Sequence, residues 1–75
     1  MKVYVVAEAN NVSGDVYVSD GFRTKKEAQK HMRENYNKVL SNVYAVEKSI
    51  SRNSYSVYDG SDLFYGEIKT IEVPV

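Results

Sequence analysis

The chain is 75 residues long, with ten Lys and Arg against ten Asp and Glu, one histidine and no cysteine. That length holds one core and leaves no space for a cofactor domain beside a substrate domain, and the cancelled charge excludes a chain whose main task is to grip a phosphate backbone by bulk attraction. A content of 43% hydrophobic and 27% charged residues is that of a folded domain and too apolar for a disordered one.

A core of this size supplies only about 3–5 kcal/mol, so self-association would help, and a homodimer is one expectation. Without cysteine there are neither disulfides nor Cys-rich zinc sites, which suits a reducing compartment. The longest apolar run, Val3-Tyr4-Val5-Val6-Ala7, is far below the roughly 20 residues that cross a bilayer, and the N-terminus lacks a signal-peptide core. The sequence reads as a single soluble, cytoplasmic domain over residues 1–75 with no membrane partner.

Residues 2–9 alternate β-branched and aromatic side chains on both parities, which predicts a strand at least partly covered on both faces and central in its sheet. Asn10-Asn11-Val12-Ser13-Gly14 is a turn cluster, and Val16-Tyr17-Val18 pairs back as a hairpin until Asp20-Gly21 stops it. Thr24-Lys25-Lys26-Glu27 then matches a capping box, with Thr24 accepting from the Glu27 N–H and Glu27 reaching back to the Thr24 N–H. Ala28, Met32, Tyr36, Val39, Leu40 and Val43 form one apolar stripe on a helix of four to five turns. The other face is charged, and Glu34 and Lys38 stand at favourable i,i+4 spacing.

After Asn42 the period becomes alternating, with Val46 and Ile50 on one side of a third strand. Arg52-Asn53-Ser54 turns the chain into a fourth strand, Tyr55-Ser56-Val57-Tyr58, and Asp59-Gly60-Ser61-Asp62 turns it again. In the last strand Phe64 and Ile68 fall on one parity, Ile71 and Val73 on the other, which predicts a bulge near Gly66 or Thr70. The fold expected is α+β: a twisted antiparallel sheet in the order ββαβββ with one helix packed on one face. One helix cannot cover all the apolar strand residues, so one sheet face is left for a dimer or a partner.

Little in the chain resembles reaction chemistry. His31 reads as a boundary histidine, and Glu27 with His31 at i,i+4 lacks the third ligand of a metal site. Asp59 and Asp62 read as turn residues rather than an acid–base pair, and none of the four glycines forms a phosphate loop. No cofactor, metal or catalytic group is expected, and the chain reads as a non-enzyme. The one feature above background is seven tyrosines, a residue that combines a stacking face, a hydroxyl and a low ordering cost. The binding residues expected are Tyr55, Tyr58 and Tyr65, with Arg52 as their charged neighbour.

Phe22-Arg-Thr-Lys-Lys-Glu-Ala-Gln-Lys-His-Met, Tyr55-Ser-Val-Tyr-Asp-Gly and Tyr65-Gly-Glu-Ile-Lys-Thr-Ile-Glu-Val together cover a hairpin, a capped helix and a closing strand. In these the chain resembles the small proteins common in bacterial phages and mobile elements, which include inhibitors of host defence such as anti-CRISPR proteins. The resemblance implies a phage-encoded inhibitor that occupies a surface of a larger host protein, a CRISPR effector for example. The neutral charge departs from the strongly acidic DNA mimics among such inhibitors. The alternative expectation is a binder of a nucleotide or single-stranded nucleic acid through a Tyr-rich sheet surface.

Overall fold

In a computed structural model, which describes residues 1–11, 14 and 16–74, the alternating segments are strands and the periodic segment a helix. The elements run β1 (Lys2–Asn10), β2 (Val16–Val18), α1 (Lys25–Asn42), β3 (Glu47–Ile50), β4 (Ser54–Tyr58) and β5 (Leu63–Glu72). Every strand pair is antiparallel, in the order β2-β1-β5-β4-β3, and α1 packs across β1, β5 and β4. The α+β architecture expected from the sequence is the one observed. The central position belongs to β5 rather than β1, because the two chain ends pair along their whole length, Lys2 opposite Glu72 through Asn10 opposite Phe64.

The helix starts where the capping residues place it. The Thr24 hydroxyl accepts from the Glu27 N–H at 3.2 Å, and the same hydroxyl donates to the Glu27 carboxylate at 2.9 Å, so the Glu27 carboxylate accepts from the hydroxyl rather than from the Thr24 N–H. At the other end β-branched Val43 is extended (φ −130°, ψ 157°) and its N–H donates to the Val39 carbonyl, while the Ser41 and Asn42 side chains donate back to the Lys38 carbonyl one turn earlier. Glu34 and Lys38 are not among the ion pairs of the described residues.

Ala28, Met32 and Tyr36 meet Val6, Tyr55 and Val57 in the core, flanked by Val39, Leu40, Val43, Tyr4, Phe22, Phe64 and Ile68. The predicted stripe is thus the packed face of α1. Val5, adjacent to Val6 but pointing to the other side, is only 6% exposed, while Val3, Ala7 and Ala9 on the same side are half-buried, so β1 is at least partly covered on both faces as its composition implied. β3 lies at the sheet edge, where Val46 is 65% and Ile50 39% exposed.

The bulge expected near Gly66 or Thr70 is absent: the β1–β5 register runs unbroken from Val3 opposite Ile71 to Ala9 opposite Tyr65. The apolar residues change parity because the strand is apolar on both faces, with Phe64 and Ile68 under the helix and Tyr65 and Ile71 on the opposite side. After β2 the chain also stays beside β1 longer than Asp20-Gly21 suggested. The Ser19 hydroxyl takes the Val6 N–H at 2.8 Å, and Tyr4 and Phe22 exchange two backbone hydrogen bonds. Within the first turn cluster Gly14 donates to the Asn10 carbonyl, while Val12, Ser13 and Asp15 lie outside the described residues. Among the described residues no helix is long and apolar enough to cross a membrane.

Candidate functional site

Alternation in an unbroken register sorts the side chains onto two faces. On the face away from α1, Val16, Ala9, Tyr65 and Ser56 form one row across four strands, and Val18, Ala7, Glu67 and Ser54 form the next. Leu63 opposes Tyr58 beyond the first row, and Val3 opposes Ile71 at the other end. Six large side chains of this face stand open to solvent: Val16, Val18, Tyr58, Leu63, Tyr65 and Ile71, at 37–68% exposure. Tyr65 and Tyr58 are diagonal neighbours across the β4–β5 ladder, a separation of about 7–8 Å that lets one partner group touch both rings.

The two tyrosines are held from behind. The Tyr58 hydroxyl donates to the Gly60 carbonyl at 2.9 Å, and the Tyr65 hydroxyl donates to Glu67 at 3.2 Å. Glu67 also accepts from Lys69 at 2.8 Å, which holds its carboxyl below the ordinary range and raises the Lys69 ammonium. Tyr65, Glu67 and Lys69 lie in line on one strand face, so the charges of this patch are already paired to one another. The turn between Tyr58 and Leu63 is closed by hydrogen bonds: the Asp59 carboxylate accepts from the Asp62 N–H at 2.6 Å and the Ser61 N–H at 3.0 Å, with Gly60 at φ 99°. These backbone donors, Asp62 first, lower the Asp59 carboxyl. Asp59 is a turn residue, as its Asp-Gly context predicted.

The expected grouping of four binding residues divides. Tyr58 and Tyr65 share the open face, but Tyr55 points the other way, 3% exposed in the core, where its ring meets Tyr36 edge-on at 5.6 Å. Tyr55 and Tyr58 are three apart on one strand, and an odd spacing puts them on opposite faces. Arg52 lies in the β3–β4 turn, six residues from Tyr58 and so roughly 20 Å away at about 3.3 Å per residue. Neither joins the tyrosine pair.

Tyr55 belongs instead to a polar group that sequence reasoning missed. Its hydroxyl donates to one Glu8 carboxylate oxygen at 2.5 Å, and Asn35 donates to the other at 2.5 Å. Asn35 lies 3.2 Å from His31 Nε2, and the His31 ring rests on Phe22 at 5.2 Å. Burial first, and then the Glu8 hydrogen bond and charge, push the Tyr55 phenol well above its usual range. The group borders a cleft of about 380 Å³ between α1 and the sheet, rimmed by Tyr17, Lys38 and Phe64. The signal for it was Glu8 itself, a carboxylate on the same parity as Val6 of the core and Tyr4 beside it. Among the described residues no three His, Cys, Asp or Glu side chains converge as metal ligands would.

Comparison with protein-family models, with curated proteins and with solved structures returns no match to this chain.

Proposed function

We propose that this chain is a non-enzymatic binding protein that holds a larger protein against the open face of its sheet, with Tyr58 and Tyr65 as anchors. The observation that carries the reading is the exposure of Val16, Val18, Tyr58, Leu63 and Tyr65 toward one end of the same sheet face, since apolar surface gathered on a small domain marks an interaction site and tyrosines are enriched among interface anchors. The resemblance to small phage proteins adds a target class, a host-defence protein such as a CRISPR effector, met in the bacterial cytoplasm. The charges of the face favour protein over nucleic acid. Its cation, Lys69, is engaged by Glu67, and Glu47 opposes Tyr58 on the same side.

The test is a Tyr58→Ala/Tyr65→Ala double variant. Both residues are more than a third exposed, so the circular dichroism spectrum is retained while capture of the partner, and inhibition of a purified effector, are lost. A double variant that unfolds, or one that binds as the natural chain does, refutes the reading. Oligonucleotide binding that weakens as salt rises would establish the nucleic-acid alternative in its place.

A further inference from the structure

We infer that the outer edge of β2 is a pairing edge for a second copy of this chain, joining two sheets about a two-fold axis at Tyr17. The hydrogen-bond phase sets up the edge. Even-numbered residues of β1 bond toward β2: Tyr4 exchanges both bonds with Phe22, and Val6 accepts from the Ser19 N–H at 2.9 Å. Odd-numbered residues bond toward β5, as Asn11 does to the Leu63 carbonyl. In an antiparallel ladder bonded and non-bonded pairs alternate, so Tyr17, opposite Glu8, directs its backbone inward. Val16 and Val18, opposite Ala9 and Ala7, direct theirs out of the sheet.

A second β2 meets those groups in one register. With Tyr17 on the axis, Val16 faces the partner's Val18 and Val18 the partner's Val16, and all four outward N–H and C=O pairs are satisfied together. A shift of two residues in either direction leaves half of them unmet, and a shift of one sets outward groups against inward ones. The side chains agree with the backbone. Val16, Tyr17 and Val18 are 68%, 71% and 62% exposed, so among the described residues β2 is an apolar edge that no other segment covers, the arrangement that templates strand addition. A zero formal charge opposes association of like copies with no long-range repulsion. The opposite edge, β3, carries Glu47 and Lys48, charges that blunt edge pairing. With one open edge per chain, pairing closes at two copies instead of growing into a fibre. The dimer places both open faces side by side on one ten-stranded sheet, yet it does not depend on the partner proposed above.

The absence of cysteine makes the test direct. Across the axis the two residues 17 form a non-hydrogen-bonded pair with Cα atoms about 4.5 Å apart, within disulfide reach. The two residues 18 are offset to roughly 8 Å, beyond it. Under mild oxidation a Tyr17→Cys variant is expected to form a disulfide-linked dimer of twice 8.5 kDa that persists in denaturing, non-reducing conditions, whereas Val18→Cys is not cross-linked under the same conditions. The natural chain is expected to gain mass with concentration in sedimentation equilibrium, and Val16→Lys/Val18→Lys, folded by circular dichroism, to lose that gain. A natural chain that stays at 8.5 kDa, a dimer that survives the lysine pair, or equal cross-linking by the two cysteine variants overturns the inference. Because Tyr58 and Tyr65 lie on other strands, their substitution leaves this dimer intact, which separates the two proposals.

Discussion

Gly66 sits beneath the Tyr55 ring, and the fold depends on its lacking a side chain. It opposes Glu8 on one neighbouring strand and Tyr55 on the other, and the ring lies across it to deliver the hydroxyl to Glu8. A methyl carbon at this position would stand 2.2, 2.8 and 2.9 Å from Tyr55 Cε2, Cδ2 and Cζ. Gly66→Ala must therefore push the ring off its seat. Overpacking costs about 1–3 kcal/mol, and loosening a hydrogen bond to a charged group costs about 1.5–3 kcal/mol when fully lost. Reduced freedom of the unfolded chain returns about 0.4–1 kcal/mol. The net loss is about 2–4 kcal/mol, most of what a core this small supplies, and at about 4–8 °C per kcal/mol the melting temperature falls by roughly 8–32 °C. Thermal and urea unfolding followed by circular dichroism measure it. The decisive comparison is the same substitution in a Tyr55→Ala background, where the obstructing ring is gone and Gly66→Ala becomes neutral or stabilising. An equal loss in both backgrounds would falsify this account and place the cost in the backbone.

Tyr55 also predicts behaviour at alkaline pH. Its folded phenol ionises above the usual value of 10.0, so the stability it confers is full below that pH and is lost as pH rises beyond it, when the unfolded chain releases the proton first. Urea unfolding from neutral pH to above 10 should show this fall, and Tyr55→Phe should flatten it; an unchanged slope refutes the assignment. On the acid side, the Asp59 carboxyl is lowered by the Asp62 and Ser61 N–H groups, so its stabilisation is present above the unfolded value of 3.8 and disappears as pH drops through the folded one. Asp59→Asn retains an acceptor for the turn and removes this contribution to acid unfolding, an effect read by comparing the two acid titrations. Thr24→Ala removes the helix cap and lowers stability by about 1 kcal/mol, while Thr24→Ser restores it, with both read as shifts of the urea midpoint.

Most of the architecture was readable because its signals are local. The Thr24–Glu27 cap, the 3–4 spacing of Ala28, Met32 and Tyr36, and the Asp59-Gly60 turn each lie within a few residues, and backbone sterics translate them without help from the rest of the chain. The tyrosine grouping failed for a different reason. Tyr55, Tyr58 and Tyr65 are near one another in sequence or across a turn, but strand parity sends Tyr55 into the core, and only knowledge of which parity the helix covers reveals that. The predicted bulge failed in the same way, since it assumed that β5 buries one face only.

The pattern along the chain by itself determined one helix among five antiparallel strands and an excess of apolar strand residues over what the helix covers. Strand order, the face that α1 occupies and the meeting of Glu8 with Tyr55 and Asn35 were decided only in the tertiary structure. Those contacts join residues 27 and 47 positions apart, and no local preference encodes such a pairing. It follows from packing, which seats a carboxylate of β1, an amide of α1 and a phenol of β4 at one point and leaves Tyr58 and Tyr65 facing outward.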